Sequence, residues 1–175
     1  MYVGHVGIAL GAHGLRRTVP LWILIVASQL PDWADAAVCL SGLRATVPGM
    51  FTHSIPAVAL LGAAIAIAWY LVSRDATGML LVFVVVATHA IGDYFTGIKP
   101  TWPGGPLIGL QLYRQPMLDF VLEAAVILIG WLFYRKSFPP EKRSSRDVVL
   151  VLVVLIFIQL AADIVFLTTP GLKKC

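Results

Sequence analysis

The chain has 175 residues, 59% of them hydrophobic and 13% charged, with a mean hydropathy of +0.87 and a net charge of +4. Soluble domains average about 45–50% apolar and about 25% charged residues, so this composition excludes an ordinary soluble protein and predicts an integral membrane protein. The basic residues lie in short stretches between apolar runs, a pattern that sets membrane topology and does not indicate a nucleic-acid-binding face. No long polar stretch interrupts the runs, so one membrane domain over residues 1–175 is expected.

The apolar runs predict an all-α, polytopic membrane bundle of six helical segments, the first of them short. The first segment, Met1–Leu15, is too short to cross a bilayer about 30 Å thick at a rise of about 1.5 Å per residue. The second, Leu21–Leu40, begins after Pro20, a residue suited to the first turn of a helix. Thr52 is a candidate cap for the third, which is predicted from His53 to about Ser73.

Three further helices follow. The fourth comes after the polar turn at Arg74 and Asp75, the fifth runs from about Pro116 to Tyr134, and the sixth from about Asp147 to Thr169. Ser41–Met50 is predicted to be a loop, and Lys99–Gln115 is predicted to be irregular because it is rich in glycine and proline.

Positive residues predict the orientation of the bundle. The stretch between the last two helices is strongly basic, so it is placed in the cytoplasm. Alternation then puts the Arg74 turn on the same side, and it puts the Lys99–Gln115 segment and both termini on the extracytoplasmic side. The basic residues that set this orientation are Arg135, Lys136, Lys142, Arg143 and Arg146.

The end of the fourth helix carries the pair His89 and Asp93. Four residues apart on a helix, the two side chains lie on one face, one turn apart. An imidazole and a carboxylate in this relation can bind one divalent metal, with zinc the best match and manganese or iron as alternatives. The other interpretation is a buried hydrogen-bonded pair without a metal, which also occurs in membrane helices.

The predicted topology gathers further ionisable residues near the same membrane face. Charged groups at membrane depth are costly and usually functional, and His and carboxylate side chains converging from several helices form metal sites. We therefore expect a metal site with His5, His53, His89 and Asp93 as ligands. The neighbouring carboxylates from the predicted outer helix ends are Asp32, Asp35, Asp119 and Glu123.

The additional carboxylates and cations have several possible roles. Asp32 and Asp35 are candidates for the base that activates water, and Asp35 is alternatively a second ligand. Asp119 and Glu123 either orient the histidines from behind or form ion pairs with Lys99 or Arg114. These two cations are also candidates for neutralising a substrate phosphate.

The residues also resemble a known family. His5-(x)5-Gly11, Leu30-Pro-Asp32, Phe51-Thr-His53-Ser, His89-(x)3-Asp93 and Trp102-Pro103, in this order, resemble the YdjM-like inner-membrane metal-dependent hydrolases. That family is similar to the zinc-dependent phospholipase C and single-strand nuclease superfamily, whose metal ligands include a His-(x)3-Asp helix. The resemblance covers about the first 120 residues.

Two positions depart from the family pattern. The family usually has His-Arg shortly before Thr-His-Ser, whereas this chain has Pro48-Gly-Met-Phe51. It often has Pro-Asp-x-Asp, whereas here the second acid, Asp35, comes one position later. The loss of a histidine favours a single metal over a full two-metal site.

These observations predict a membrane-embedded hydrolase of a lipid or lipid-linked phosphoester, at the extracytoplasmic headgroup level of the inner membrane. Two alternatives remain open. An ion or metal transporter would use the same His and Asp side chains as a path, with a site near the membrane midplane. A non-catalytic membrane metal-binding protein would retain the ligands without turnover. The sequence does not indicate an oligomeric state.

Overall fold

The computed structural model describes residues 3–42 and 51–168, which form an all-α bundle. The helices in this part of the chain are α1 (Gly4–Leu15), α2 (Leu21–Leu40), α3 (Ile55–Ser73), α4 (Ala76–Thr96), α5 (Pro116–Lys136) and α6 (Arg146–Thr168). The predicted polytopic bundle with a short first helix is confirmed. Most of the predicted Ser41–Met50 loop, together with residues 1–2 and 169–175, lies outside the described residues.

The helices α2 to α6 are each long and apolar enough to cross a membrane. The first helix has 12 residues, about 18 Å at about 1.5 Å per residue, so it reaches only part of the way through a bilayer. It packs against α5, α2 and α4 inside the bundle. The buried core between α1, α2, α3 and α4 consists mainly of small and branched side chains, including Ala9, Leu24, Ala27, Val58, Val82, Val85 and Val86.

Glycines bring the backbones of α1 and α5 into direct contact. A Cβ atom at Gly7 would lie 2.7 Å from the Cα of Ile127 and 2.9 Å from the carbonyl oxygen of Val126. Gly11 and Gly14 continue the same stripe along α1, facing Gly130 and Phe133 of α5. Small residues at such spacing allow close helix packing in membranes. This packing fixes the position of α1, and with it the position of His5.

Replacing Gly7 by alanine is therefore expected to destabilise the bundle by about 1–3 kcal/mol or more. The new methyl group would clash with backbone atoms of α5, which cannot move away by a side-chain rotation. The measurement is the unfolding midpoint of the purified protein in detergent. Gly62→Ala is the matched control, since its methyl group would lie 3.3 Å from the side chains of Phe83 and Val86, which can adjust. Equal shifts in the two variants would show that the α1–α5 contact is not this tight.

The start of α3 differs from the predicted one. Ser54 occupies the N-cap position, with Pro56 in the first turn, and no cap hydrogen bond comes from a side chain. His53 therefore precedes the helix, and the prediction that Thr52 caps it is wrong. The Thr52 hydroxyl instead donates to Asp35 Oδ1 at 2.9 Å. The turn before α3 is thus hydrogen-bonded to the side of α2.

The Lys99–Gln115 segment is more ordered than predicted. It forms a short antiparallel hairpin of β1 (Lys99–Pro100) and β2 (Leu107–Ile108), followed by a 3₁₀ turn at Leu112–Arg114. The hairpin is anchored at both sides. The backbone N–H of Ile55 donates to Thr101 O at 3.0 Å, and that of Leu110 donates to Tyr94 O at 2.7 Å. The hairpin therefore covers the start of α3 and the end of α4.

The opposite end of the bundle is held by Asp75. Its side chain caps α4 through Gly78 N (3.0 Å) and accepts from Arg16 (2.9 Å) and from Thr18 (3.1 Å) in the corner between α1 and α2. The Gly78 backbone N–H and the Arg16 guanidinium lower the pKa of this carboxyl. Asp75 therefore stays ionised at neutral pH and fixes the relative depth of α1 and α4.

Candidate metal centre

Three helices and the turn before α3 bring the polar residues of the bundle interior to one place. His5 comes from the first turn of α1, Asp32 from the middle of α2, His53 from the turn, and His89 and Asp93 from the last two turns of α4. Histidines 5, 53 and 89 are each at most 3% exposed, and Asp93 is 4% exposed. The structure thus brings together all four predicted ligands and Asp32.

The side-chain ends of these residues face one another at short distances. His53 Nε2 lies 3.1 Å from Asp32 Oδ1 and 3.5 Å from Asp93 Oδ2. His89 Nε2 lies 3.6 Å from Asp32 Oδ1 and 3.4 Å from Asp93 Oδ2. Donor atoms about 2.1 Å from a tetrahedral zinc ion lie about 3.4 Å from one another. The observed spacings are therefore those of a set of ligands around one ion.

The proton positions on His89 support ligation. Its Nδ1 lies 3.0 Å from the carbonyl oxygen of Ser28. A carbonyl only accepts, so Nδ1 carries the hydrogen and Nε2 carries the lone pair in the neutral ring. This is the usual support for a histidine that binds a metal through its other nitrogen. His89 Nε2 has no hydrogen-bond partner among the described residues, although it is buried.

The donors form two overlapping groups that share His89. One group is His5, His89 and Asp93, and the other is Asp32, His53 and His89; within each group the ligand atoms lie within 4.8 Å of one another. Because His89 donates Nδ1–H to Ser28, it offers only Nε2. One nitrogen lone pair cannot bind two ions, so the arrangement fits a single metal better than two.

His5 occupies the side of the site toward α5. Its ring stacks on that of His89 at 3.8 Å with an interplanar angle of 13°, and its Nε2 lies 4.0 Å from Asp93 Oδ1. Glu123 supports this position, because its Oε2 accepts from the backbone N–H of Gly4 at 2.9 Å. A carboxylate at a helix N-terminus is favourable. Glu123 therefore stabilises the start of α1 and, with it, the position of His5.

The hairpin places a cation beside the site. Lys99 Nζ lies 3.7 Å from Asp93 Oδ2, and the Lys99 side chain is 28% exposed. Of the two predicted cations, Lys99 thus lies at the site, whereas Arg114 is exposed on the 3₁₀ turn. Among the described residues, no carboxylate lies within 4.0 Å of the Arg114 guanidinium.

Two predicted acidic residues, Asp35 and Asp119, are not among the converging donors. Asp35 contacts Thr52 and reaches the site only through that hydroxyl. Asp119 is buried on α5 at 7% exposure. The remaining histidine, His13, lies away from the site: its Nδ1 is 3.0 Å from Val19 O near the Asp75 end.

Sequence reasoning missed two supporting groups, the Ser28 carbonyl and the Thr52 hydroxyl. A backbone carbonyl leaves no side-chain signal in a sequence. The position of Thr52 directly before His53 is a signal, but it was interpreted as a helix cap.

A group of three buried histidines, the buried Asp93 and the partly buried Asp32, inside a bundle with five candidate membrane spans, defines a polytopic membrane protein with a candidate metal centre. The chain belongs to the YdjM inner membrane protein family, whose model matches residues 2–168. No curated protein and no solved structure matched the chain. The inner-membrane part of the predicted localisation therefore follows from the family.

Proposed function

We propose that the protein is a metal-dependent hydrolase that cleaves a lipid or lipid-linked phosphoester within the inner membrane. The observation that carries the proposal is the convergence of buried donor atoms whose spacing suits one ion, with a lone pair of His89 directed into the site. The Asp93 carboxylate is buried and the Asp32 side chain is 21% exposed, and two carboxylates so placed beside three imidazoles require compensating positive charge. Lys99, whose Nζ lies 3.7 Å from Asp93 Oδ2, supplies part of that charge, and a bound divalent cation would supply the rest.

His53, His89 and Asp93 would hold the metal, with His5 or Asp32 as a fourth ligand. Nitrogen and carboxylate ligands at about tetrahedral spacing favour zinc, and manganese and iron accept the same ligands. When bound, the metal supplies a Lewis acid that polarises a phosphoryl oxygen and lowers the pKa of water to about 7.

Asp32 is the best-placed proton acceptor. Its Oδ1 faces His53 and His89, while its Oδ2 is buried and has no hydrogen-bond partner among the described residues. A carboxylate that faces two imidazoles with one oxygen and has no partner on the other can accept the proton that a water molecule loses. Asp35, whose Oδ1 is bonded to Thr52, is less suited to this role.

The depth of the site and the surrounding surface support a lipid substrate. His89 lies fourteen residues beyond the cap at Asp75, about 21 Å along the helix at about 1.5 Å per residue, which is well into the far half of a bilayer about 30 Å thick. Lys99 can bind a phosphate oxygen once Asp93 is bound to the metal. Exposed apolar side chains on the hairpin and the neighbouring helix ends suit lipid contact, including Phe51, Trp102, Leu107, Ile108, Leu110 and Met117.

The extracytoplasmic location of the site is part of the proposal. It is supported by the basic residues at the opposite end, where Arg16 and the stretch between α5 and α6 lie. We expect a cysteine at Gly104 to react with a membrane-impermeant thiol reagent from the extracytoplasmic side, and one at Ser144 only from the cytoplasmic side. Reversed labelling would move the site to the cytoplasmic leaflet.

The test of function is turnover by the purified protein in detergent, with its metal content measured by elemental analysis. We expect about one zinc, manganese or iron ion per chain and release of product from at least one member of a panel of phospholipids and lipid-linked diphosphates. Chelation is expected to remove both, and added metal to restore both. If the metal-loaded protein cleaves no ester but moves ions across liposome membranes, the protein is a transporter and the hydrolase proposal is wrong.

A further inference from the structure

The turn before α3 contains a buried hydroxyl whose role is not that of a helix cap. Thr52 is 3% exposed, and the N-cap of α3 is Ser54. The Thr52 hydroxyl donates to Asp35 Oδ1 at 2.9 Å, and the same oxygen lies 2.8 Å from His53 Nδ1. Asp35, Thr52 and His53 therefore form a continuous hydrogen-bonded chain from α2 to the metal centre.

The direction of this chain follows from counting hydrogens. A hydroxyl has one hydrogen, and Thr52 uses it toward Asp35. Its oxygen must then accept from His53, so the hydrogen of the neutral imidazole is on Nδ1. In the neutral ring the lone pair is consequently on Nε2, which lies at hydrogen-bond distance (3.1 Å) from Asp32 Oδ1 and 3.5 Å from Asp93 Oδ2. Carboxylates only accept, so a cation must lie between this lone pair and the two aspartates, which is the place of the proposed metal.

His89 and His53 are both held through a hydrogen bond at Nδ1, but by different groups. His89 donates to a backbone carbonyl, which no substitution of a side chain removes. His53 lies outside a helix, and its orientation depends on Thr52 and on the carboxylate of Asp35, which is seventeen residues before Thr52 in the chain. Groups behind a ligand fix its tautomer and ring orientation, and their loss typically lowers metal affinity 10–100-fold.

We propose that Thr52 and Asp35 are positioning residues that hold His53 as the Nδ1–H tautomer, with Nε2 available to the metal. This rests on the proposed metal site. It also assigns Asp35 a role different from that of Asp32: Asp35 orients a ligand and takes no part in proton transfer from water.

The first experiment measures zinc affinity in detergent by competition with a chelator. Thr52→Val keeps the shape but neither accepts from His53 nor donates to Asp35, so we expect a 10–100-fold loss of affinity. Thr52→Ser keeps the hydroxyl and should bind within about threefold of the parent. Thr88→Val is the matched control, because the Thr88 hydroxyl donates to the carbonyl of Val85 in its own helix. Parental affinity in Thr52→Val overturns the proposal.

The second experiment reads the tautomer directly, by nitrogen NMR of histidine-labelled protein without metal. The parent and Thr52→Ser should show a hydrogen on His53 Nδ1, whereas Thr52→Val and Asp35→Ala should lose it and keep only the hydrogen on Nε2, which donates to Asp32 Oδ1 at 3.1 Å. An unchanged tautomer in both variants overturns the proposal even if affinity falls. A parent that binds no metal refutes the proposed function, while this tautomer measurement still decides the role of Thr52.

Discussion

Replacing His89 by alanine is expected to abolish stoichiometric metal binding. His89 belongs to both groups of converging donors, and its Nε2 lies within 3.6 Å of both Asp32 Oδ1 and Asp93 Oδ2. Its removal leaves each group with two of its three donors, and it takes away the one nitrogen that the two groups share and that the Ser28 carbonyl orients. The loss should exceed the 10–100-fold effect of removing a supporting group. The metal content, measured by elemental analysis after gel filtration, should fall from about one ion per chain to near zero.

The matched control is His13→Ala. His13 belongs to the same bundle, but it is hydrogen-bonded to Val19 O, far from the site. It should retain the parental metal content, and Asp93→Ala should lose it as His89→Ala does. Thermal unfolding without metal separates loss of binding from loss of the fold. Full occupancy in the His89→Ala, Asp93→Ala double variant would refute the site, as would dependence on His13 alone.

The helices were predictable because membrane burial demands long apolar runs. The predicted bounds of α2 match the observed Leu21–Leu40, and α5 starts at Pro116 as expected. Polar residues interrupt these runs at few positions, and the charge asymmetry of the connections orders the helices. The meeting of His5, Asp32, His89 and Asp93 could thus be expected from their similar depth, even without distances.

The connections were less predictable. The start of α3 was placed two residues early, although Ser54 and Pro56 are a typical helix start. The hairpin at Lys99–Pro100 pairs only two residues on each strand, which is too short to produce an alternating pattern. Its position over Asp93 depends on backbone bonds to α3 and α4, and no residue pattern encodes those bonds.

The role of Asp35 could not be predicted from its position in the sequence. The sequence places Asp32 and Asp35 three residues apart, roughly on one face of a helix, so both are candidates for the same chemistry. In the structure Asp32 faces the imidazoles of His53 and His89 directly, whereas Thr52 stands between Asp35 and His53. The contact depends on how the turn before α3 packs against α2, which is a tertiary property.

The difference between the two aspartates leads to the second large expected effect. Asp32→Asn should lower turnover on a responsive phosphoester by about 10²–10⁴-fold, the usual contribution of general acid–base catalysis. The amide keeps the size of the side chain and an oxygen that can face the metal, but it is not a proton acceptor at neutral pH. Metal content and yield should therefore stay closer to the parent than turnover does.

Two comparisons make this result specific to Asp32. Asp163→Asn changes an α6 carboxylate that accepts from Gln159 of the same helix, and it should leave turnover unchanged. Asp35→Asn keeps an oxygen that can accept from Thr52, so it should lose far less turnover than Asp32→Asn. If metal-loaded Asp32→Asn turns over at the parental rate, Asp32 is not the base. If Asp35→Asn shows the larger loss instead, the roles of the two carboxylates are reversed.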